Sequence, residues 1–176
     1  MKLPKTLLAL YLLAFATAVP LVHAETPAQV PFGDKMGAEV VNYNRLRPNL
    51  ATGGSIDLGA VDSLKQKGFR TIIDLRTPAE GTAEERAAVE AAGMAYVNLP
   101  IAKGAPTEAQ ITRLAELLED DSAAPVLLHC ASGNRVGAGW AIYRVRNGIP
   151  LEIAIEEGRT AGMRPSREEQ VRALFQ

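Results

Sequence analysis

The sequence predicts an α/β protein of three layers, α/β/α, with a short, mainly parallel sheet covered by helices on both faces. Three observations predict it. Short apolar runs of strand character (residues 69–75, 94–99 and 126–129) alternate with longer stretches of helical period. Gly68, Gly93 and Gly148 stand where the helical stretches should stop. The connections between them are short, as in βα units, where the crossover is right-handed and the strands run parallel.

The amino-terminal part reads differently. Lys2 and Lys5 precede an uncharged apolar stretch over 7–19, and Val22, His23 and Ala24 place compact residues where a signal peptidase cuts. Residues 1–24 therefore read as a secretory signal cleaved after Ala24, which implies a periplasmic or secreted protein. The apolar stretch is about 13 residues, short of the ~20 that a spanning helix needs, so no integral membrane segment is expected after signal removal. Residues 25–38, with Pro27, Pro31 and Gly33, read as an extended lead-in. Residues 39–176 read as one domain.

Within that domain Val40, Val41 and Tyr43 are strand candidates, and 49–54 reads as loop. Ser55 is placed to cap a helix over 56–67 with Leu58, Val61 and Leu64 on one face. The run FRTIIDL over 69–75 is short and β-branched, as a buried strand is. A polar loop over 76–81 follows, then Thr82 and Glu85 at capping-box spacing for a helix that ends at Gly93. Residues 94–99 form the next strand and 100–106 a loop. Thr107 and Gln110 open a second box, for a helix to about Glu119. After a turn, residues 126–129 make a strand that runs straight into Cys130. Helices are expected over 134–147, 150–161 and 166–175, the last opened by Ser166 and Glu169.

Charge excludes one class of partner. Removal of the signal takes Lys2 and Lys5 and no acid, so the formal charge moves from −1 to −3. No basic tract is present, and nucleic acid is not an expected partner. His23 leaves with the signal, so the remaining chain holds one His and one Cys, and they are adjacent: His129 and Cys130. One His and one Cys cannot build a zinc site, and no metal or cofactor is expected.

The segment His129-Cys130-Ala131-Ser132-Gly133-Asn134-Arg135 lies between a strand and a helix. A loop closing onto a helix N-terminus gathers backbone N–H groups into one concavity, and the helix dipole adds positive potential. Gly133 lets the backbone turn tightly, and Arg135 offers a planar fork to two oxyanion oxygens. The same field favours the thiolate of Cys130, which would face a bound oxyanion in position for in-line attack. His129 reads as support for the loop, because adjacent strand residues point to opposite faces. In α/β sheets ligands bind beyond the carboxyl ends of the strands, where this loop sits.

HCASGNR resembles the signature loop of the cysteine-based phosphatases, His-Cys-x5-Arg. With GGSIDLGAVDSLKQKGFRTIIDLR upstream and the helical tail, the chain is similar to the beta-lactamase-hydrolase-like group of protein-tyrosine-phosphatase-like proteins over roughly residues 41–175. The resemblance implies a cysteine-phosphatase-like α/β domain and a phosphocysteine route to hydrolysis of a phosphate ester. Cys130 would be the nucleophile, Arg135 the phosphate clamp and His129 its support. Ala131, Ser132, Gly133 and Asn134 would line the cradle.

Two features depart from the pattern. Four residues separate Cys130 from Arg135, the spacing of rhodanese-type sulfurtransferases, and position 136 is Val rather than Ser or Thr. The loop over 100–106, where such phosphatases carry their acid, has no carboxylate. Asp74 and Glu80 are the nearest substitutes as general acid. Asp74 has a structural alternative, bonding loop backbone, and Arg76 beside it could pair with an acid. Lys103 could steer an anion, and the arginines of the tail read as solvated surface. Three readings stay open: a phosphatase-like hydrolase, a sulfurtransferase or persulfide carrier, and a non-enzymatic oxyanion-binding or redox-sensing module.

Overall fold

The computed structural model describes residues 36, 37 and 39–176. The signal segment 1–24 and most of the lead-in 25–38 lie outside the described residues. The sheet has five strands: β1 (Asn44–Arg47), β2 (Leu50–Gly53), β3 (Thr71–Asp74), β4 (Ala95–Asn98) and β5 (Val126–His129). Their order is β1-β2-β5-β3-β4. The edge strand β1 runs antiparallel to β2, and the other neighbouring pairs are parallel. The helices are α1 (Val61–Gln66), α2 (Thr82–Ala91), α3 (Glu108–Glu119), α4 (Asn134–Arg146), α5 (Leu151–Thr160) and α6 (Pro165–Ala173).

Alternation along the strands builds the two faces. Ile72 and Leu127 point to one side, where they meet Leu64 of α1 and Val89 of α2. Ile73 and Leu128 point to the other, where they meet Leu114 of α3 and Val136 and Trp140 of α4. A further apolar cluster joins α4 to α5 through Ala138, Ala141, Ala154 and Ile155. Both faces are covered, which gives the expected three layers. Trp140 is 2% exposed, a core residue as its helical position suggests.

Several local expectations need correction. Residues 49–54 are not all loop: β2 occupies Leu50–Gly53 and every residue in it is buried. Gly53 and Gly54 read as turn residues, yet a Cβ on Gly53 would fall 2.4 Å from Val40 Cγ1, and one on Gly54 would fall 3.0 Å from Ala131 O. The glycines are there for close approach of backbones. The first strand begins at Asn44 rather than at Val40 to Tyr43. Asp57, not Ser55, caps the turn that leads into α1. The box expected at Thr82 and Glu85 does not open α2, whose N-cap is Gly81, because Glu85 turns inward and is 1% exposed; Thr77 and Glu80 form a box around the short turn at 78–80 just before it. Helix α6 opens with Pro165 at its first turn, whose fixed φ suits that position, rather than with a Ser166 cap. The box at Thr107 and Gln110 forms as expected.

Candidate active site

The register of the sheet sets the site. Gly53, His129 and Asp74 are direct neighbours at the carboxyl ends of β2, β5 and β3. Cys130 follows His129 and is 1% exposed, its amide donating to Gly53 O at 3.3 Å. The loop then curls around the sulfur. Ala131 O is turned outward and accepts from Ser55 N at 3.1 Å, and Ser132 O accepts from Asn42 Nδ2 at 3.2 Å. In a trans peptide the N–H points opposite to the C=O. Outward carbonyls at Ala131 and Ser132 therefore aim the N–H groups of Ser132 and Gly133 inward, and Gly133 N lies 3.2 Å from Cys130 Sγ. The first turn of α4 adds N–H groups that no helix satisfies internally.

The back of the loop is braced by the turn between α5 and α6. Gly133 has φ +86°, a conformation that favours glycine, and a Cβ there would meet Ala161 O at 2.7 Å. Asn134 Oδ1 accepts from Arg164 N at 2.8 Å, so this residue ties the loop to the tail rather than lining it alone.

Arg135 is 13% exposed at its side chain and faces the sulfur, but its fork is occupied. Nη1 and Nη2 donate to the two oxygens of Glu80 at 2.7 and 2.6 Å. Thr77 holds the same carboxylate through its amide at 2.8 Å and its hydroxyl at 2.9 Å. The Arg135 hydrogen bond, aided by Thr77 and opposed by slight burial, lowers the Glu80 carboxyl to about 2. Glu80 is therefore an ionised partner of the clamp at neutral pH, and the arrangement opposes its use as a general acid. An open cavity of about 490 Å³ lies in front of this pair, with Lys103, Ser132, Asn134 and Arg167 in its lining.

Behind the loop lies a buried polar network. His129 is fully buried; its Nδ1 is 3.2 Å from Gly54 O and its Nε2 is 2.8 Å from Glu85 Oε1 and 3.6 Å from Asp74 Oδ1. The Nε2–Glu85 contact has ion-pair distance but not hydrogen-bond alignment. Arg76 binds both acids, Asp74 through Nε and Nη2 at 3.0 and 2.9 Å and Glu85 through Nη2 at 2.7 Å. Asp74 also accepts from Arg76 N at 2.8 Å and from the Tyr96 hydroxyl at 2.7 Å. Burial pushes the Asp74 carboxyl up, but the Arg76 and Tyr96 hydrogen bonds and the field of His129 outweigh it and hold it below the usual range. Asp74 is 0% exposed with its oxygens committed to Arg76 and Tyr96, an arrangement that opposes its use as a general acid and ties the strand ends together. Asp74, Glu85 and His129 approach one another closely enough to suggest a metal site, but the Arg76 guanidinium already supplies the cation there.

The structure brings together Cys130, Arg135 and the cradle residues, and His129 lies behind them. It adds Glu85, whose Thr-x-x-Glu spacing disguised it as a capping residue. It also adds Arg167, whose place in a polar helix resembled solvated surface; its pairing with loop carbonyls over 102–104 had no local signal.

Residues 29–173 match the family of DSP-PTPase phosphatases fused to NAD+ kinase. A beta-lactamase hydrolase-like protein of Agrobacterium fabrum is 29% identical over 124 residues, 67% of this chain and 28% of that protein. The chain thus spans a little over a quarter of the length of such curated relatives. Among solved structures, P. aeruginosa TpbA superposes with a TM-score of 0.65 at 22% identity, over 84% of this chain and 91% of that one. A DUF442 protein of Shewanella putrefaciens CN-32 gives 0.63 at 21% identity, over 77% and 87%. Both likenesses establish the phosphatase-like fold.

Proposed function

The chain belongs to the DSP-PTPase family whose members are fused to NAD+ kinase, and on that premise we propose that it hydrolyses a phosphorylated compound through a phosphocysteine at Cys130. One observation carries the reading: the Gly133 amide, the Arg135 guanidinium and the N-terminus of α4 converge on a single buried sulfur. That arrangement offers donors to the sulfur and to a phosphoryl oxyanion at adjacent points.

The chemistry follows. Phosphate oxygens enter the Arg135 fork and the inward N–H groups of the loop. Cys130 Sγ attacks phosphorus from the buried side; the S–P bond forms, the P–O bond opposite breaks, and its electron pair leaves with the departing oxygen. Water then attacks the phosphocysteine, the S–P bond breaks with its electrons returning to sulfur, and the water proton passes to solvent. His129 positions the loop through Gly54 O and touches no substrate. Because Asp74 is committed and Glu80 is ionised, departure of the leaving oxygen relies on groups other than a carboxylic acid. The four-residue loop also suits a persulfide, so a thiosulfate–cyanide assay run in parallel separates the sulfurtransferase reading: cyanide-dependent thiocyanate release without phosphate release would overturn the proposal.

Glu80 competes with substrate for Arg135. Glu80→Gln removes the competing charge and is expected to tighten inorganic phosphate binding about two- to fivefold at pH 7, the scale of a partly exposed ion pair. Acidification does not imitate the substitution. A carboxyl lowered to about 2 stays charged until pH falls towards that value, so phosphate affinity should not rise through Glu80 between pH 7 and 4. Calorimetric titration of both proteins at pH 7 and 4 checks this. Weaker binding by the variant would make Glu80 a support of the clamp instead of its competitor.

A further inference from the structure

Arg167 differs from most arginines of the tail; it and the exposed Arg164 are the two that meet no carboxylate among the described residues. Arg144, Arg159 and Arg172 each meet a carboxylate: Glu157, Glu168 and Glu152 respectively. Arg167 donates to Gly104 O at 2.5 Å and Ala102 O at 2.9 Å, and among the described residues it faces no carboxylate. Burial, and then the positive charge of Arg135, disfavour its charged form, while Cys130 favours it. A partly buried guanidinium within the field of a second one is costly, and the anion present there, Glu80, is held by Arg135 and not by Arg167. Lys103, exposed on the loop that Arg167 holds, lines the same cavity, also with no acid partner among the described residues. The cavity of about 490 Å³ is in the range that holds a small molecule, and among the described residues no aromatic ring lines it to stack a phosphoaryl group. Two features bear on the substrate: Arg167 and Lys103 line the cavity beyond the Arg135–Glu80 pair, and no carboxylic acid among the described residues is placed to protonate a leaving oxygen.

We propose that the substrate is a phosphoanhydride, with the transferred phosphoryl group on the Cys130 loop and Arg135 and the leaving phosphate on Arg167 and Lys103. This rests on the phosphocysteine reading. The S–P bond forms, the bridging P–O bond breaks, and the electron pair goes to the bridging oxygen of the departing phosphate. That group leaves as an anion whose charge the two cations meet, so no proton need be delivered in the first step. Hydrolysis of the phosphocysteine by water then proceeds as above. A monoalkyl phosphate, whose leaving oxygen is strongly basic, lacks this route.

Turnover of inorganic pyrophosphate, glycerol phosphate and p-nitrophenyl phosphate by the full chain, with chelator present, tests the assignment. Pyrophosphate is expected to exceed glycerol phosphate at least tenfold in kcat/KM. Arg167→Gln should lower the ratio of pyrophosphate to p-nitrophenyl phosphate kcat/KM at least tenfold, and Arg167→Lys should restore part of it. A role in merely holding the loop over 102–104 would lower both substrates alike and leave the ratio unchanged, which would overturn the proposal. So would glycerol phosphate turnover equal to that of pyrophosphate. Binding to Cys130→Ser keeps the two readings apart. Pyrophosphate held tenfold tighter than phosphate, with no turnover of any substrate by the native chain, would leave the anion subsite standing and overturn the phosphocysteine. Equal affinities that Arg167→Gln does not change would overturn the subsite.

Discussion

Cys130→Ser is expected to lower kcat/KM for p-nitrophenyl phosphate by at least about 10³-fold, because it removes the nucleophile and leaves only binding. The fold should survive it. The site is small and 1% exposed, and Ser Oγ can still accept from the Gly133 amide that now lies 3.2 Å from sulfur. Stability within about 1 kcal/mol of the native chain is therefore expected by urea denaturation. Phosphate binding should also persist, since Arg135 and the loop amides remain. The combination of lost turnover, kept fold and kept binding is what distinguishes a nucleophile from a packing residue. Turnover that survives the substitution would remove Cys130 from the reaction.

Arg76→Met is expected to have the largest effect on stability. Arg76 is 9% exposed and is the guanidinium that bridges two buried carboxylates, Asp74 and Glu85, at the strand ends under the loop. Breaking a buried pair by removing one partner costs about 3–5 kcal/mol, because the charges left behind are uncompensated. The pH dependence gives a second signature. In the native chain the Asp74 carboxyl is held below its usual range, so its contribution is present at neutral pH and is lost only on strong acidification. Without Arg76, burial acts with less opposition and raises the folded-state value towards or above the unfolded one. Stability then falls as pH rises instead of growing. The gap between variant and native chain should shrink from pH 7 to pH 5 in urea titrations. A gap that is the same at both pH values would mean that lost packing, not stranded charge, explains the cost.

The parts of the fold that read clearly were those whose signal is local. The parallel strands β3, β4 and β5 are apolar runs, and the loop from Cys130 to Arg135 follows the last of them directly. Strand β2 did not read, because Leu-Ala-Thr-Gly has neither β-branched bulk nor alternation, and its place between two strands of the sheet is a tertiary fact. Glu85 was hidden for the opposite reason: its spacing from Thr82 imitates a cap, while its side chain turns inward to Arg76 and His129. Glu80 was visible as a carboxylate near the site, but its pairing with Arg135 spans 55 positions and depends on how two loops meet. Arg167 is separated from its loop carbonyls by more than 60 positions, so only the folded chain brings it to the cavity.

The phosphocysteine mechanism requires that phosphorus is at some stage bonded to the sulfur of Cys130. Rapid acid quenching of the full chain during turnover of p-nitrophenyl phosphate, followed by peptide mass mapping, reads this directly. A phosphoryl adduct on the peptide that carries Cys130, absent from Cys130→Ser and formed at the rate of nitrophenol release, is the predicted result. Steady turnover with no adduct, or with the adduct on another residue, would contradict it.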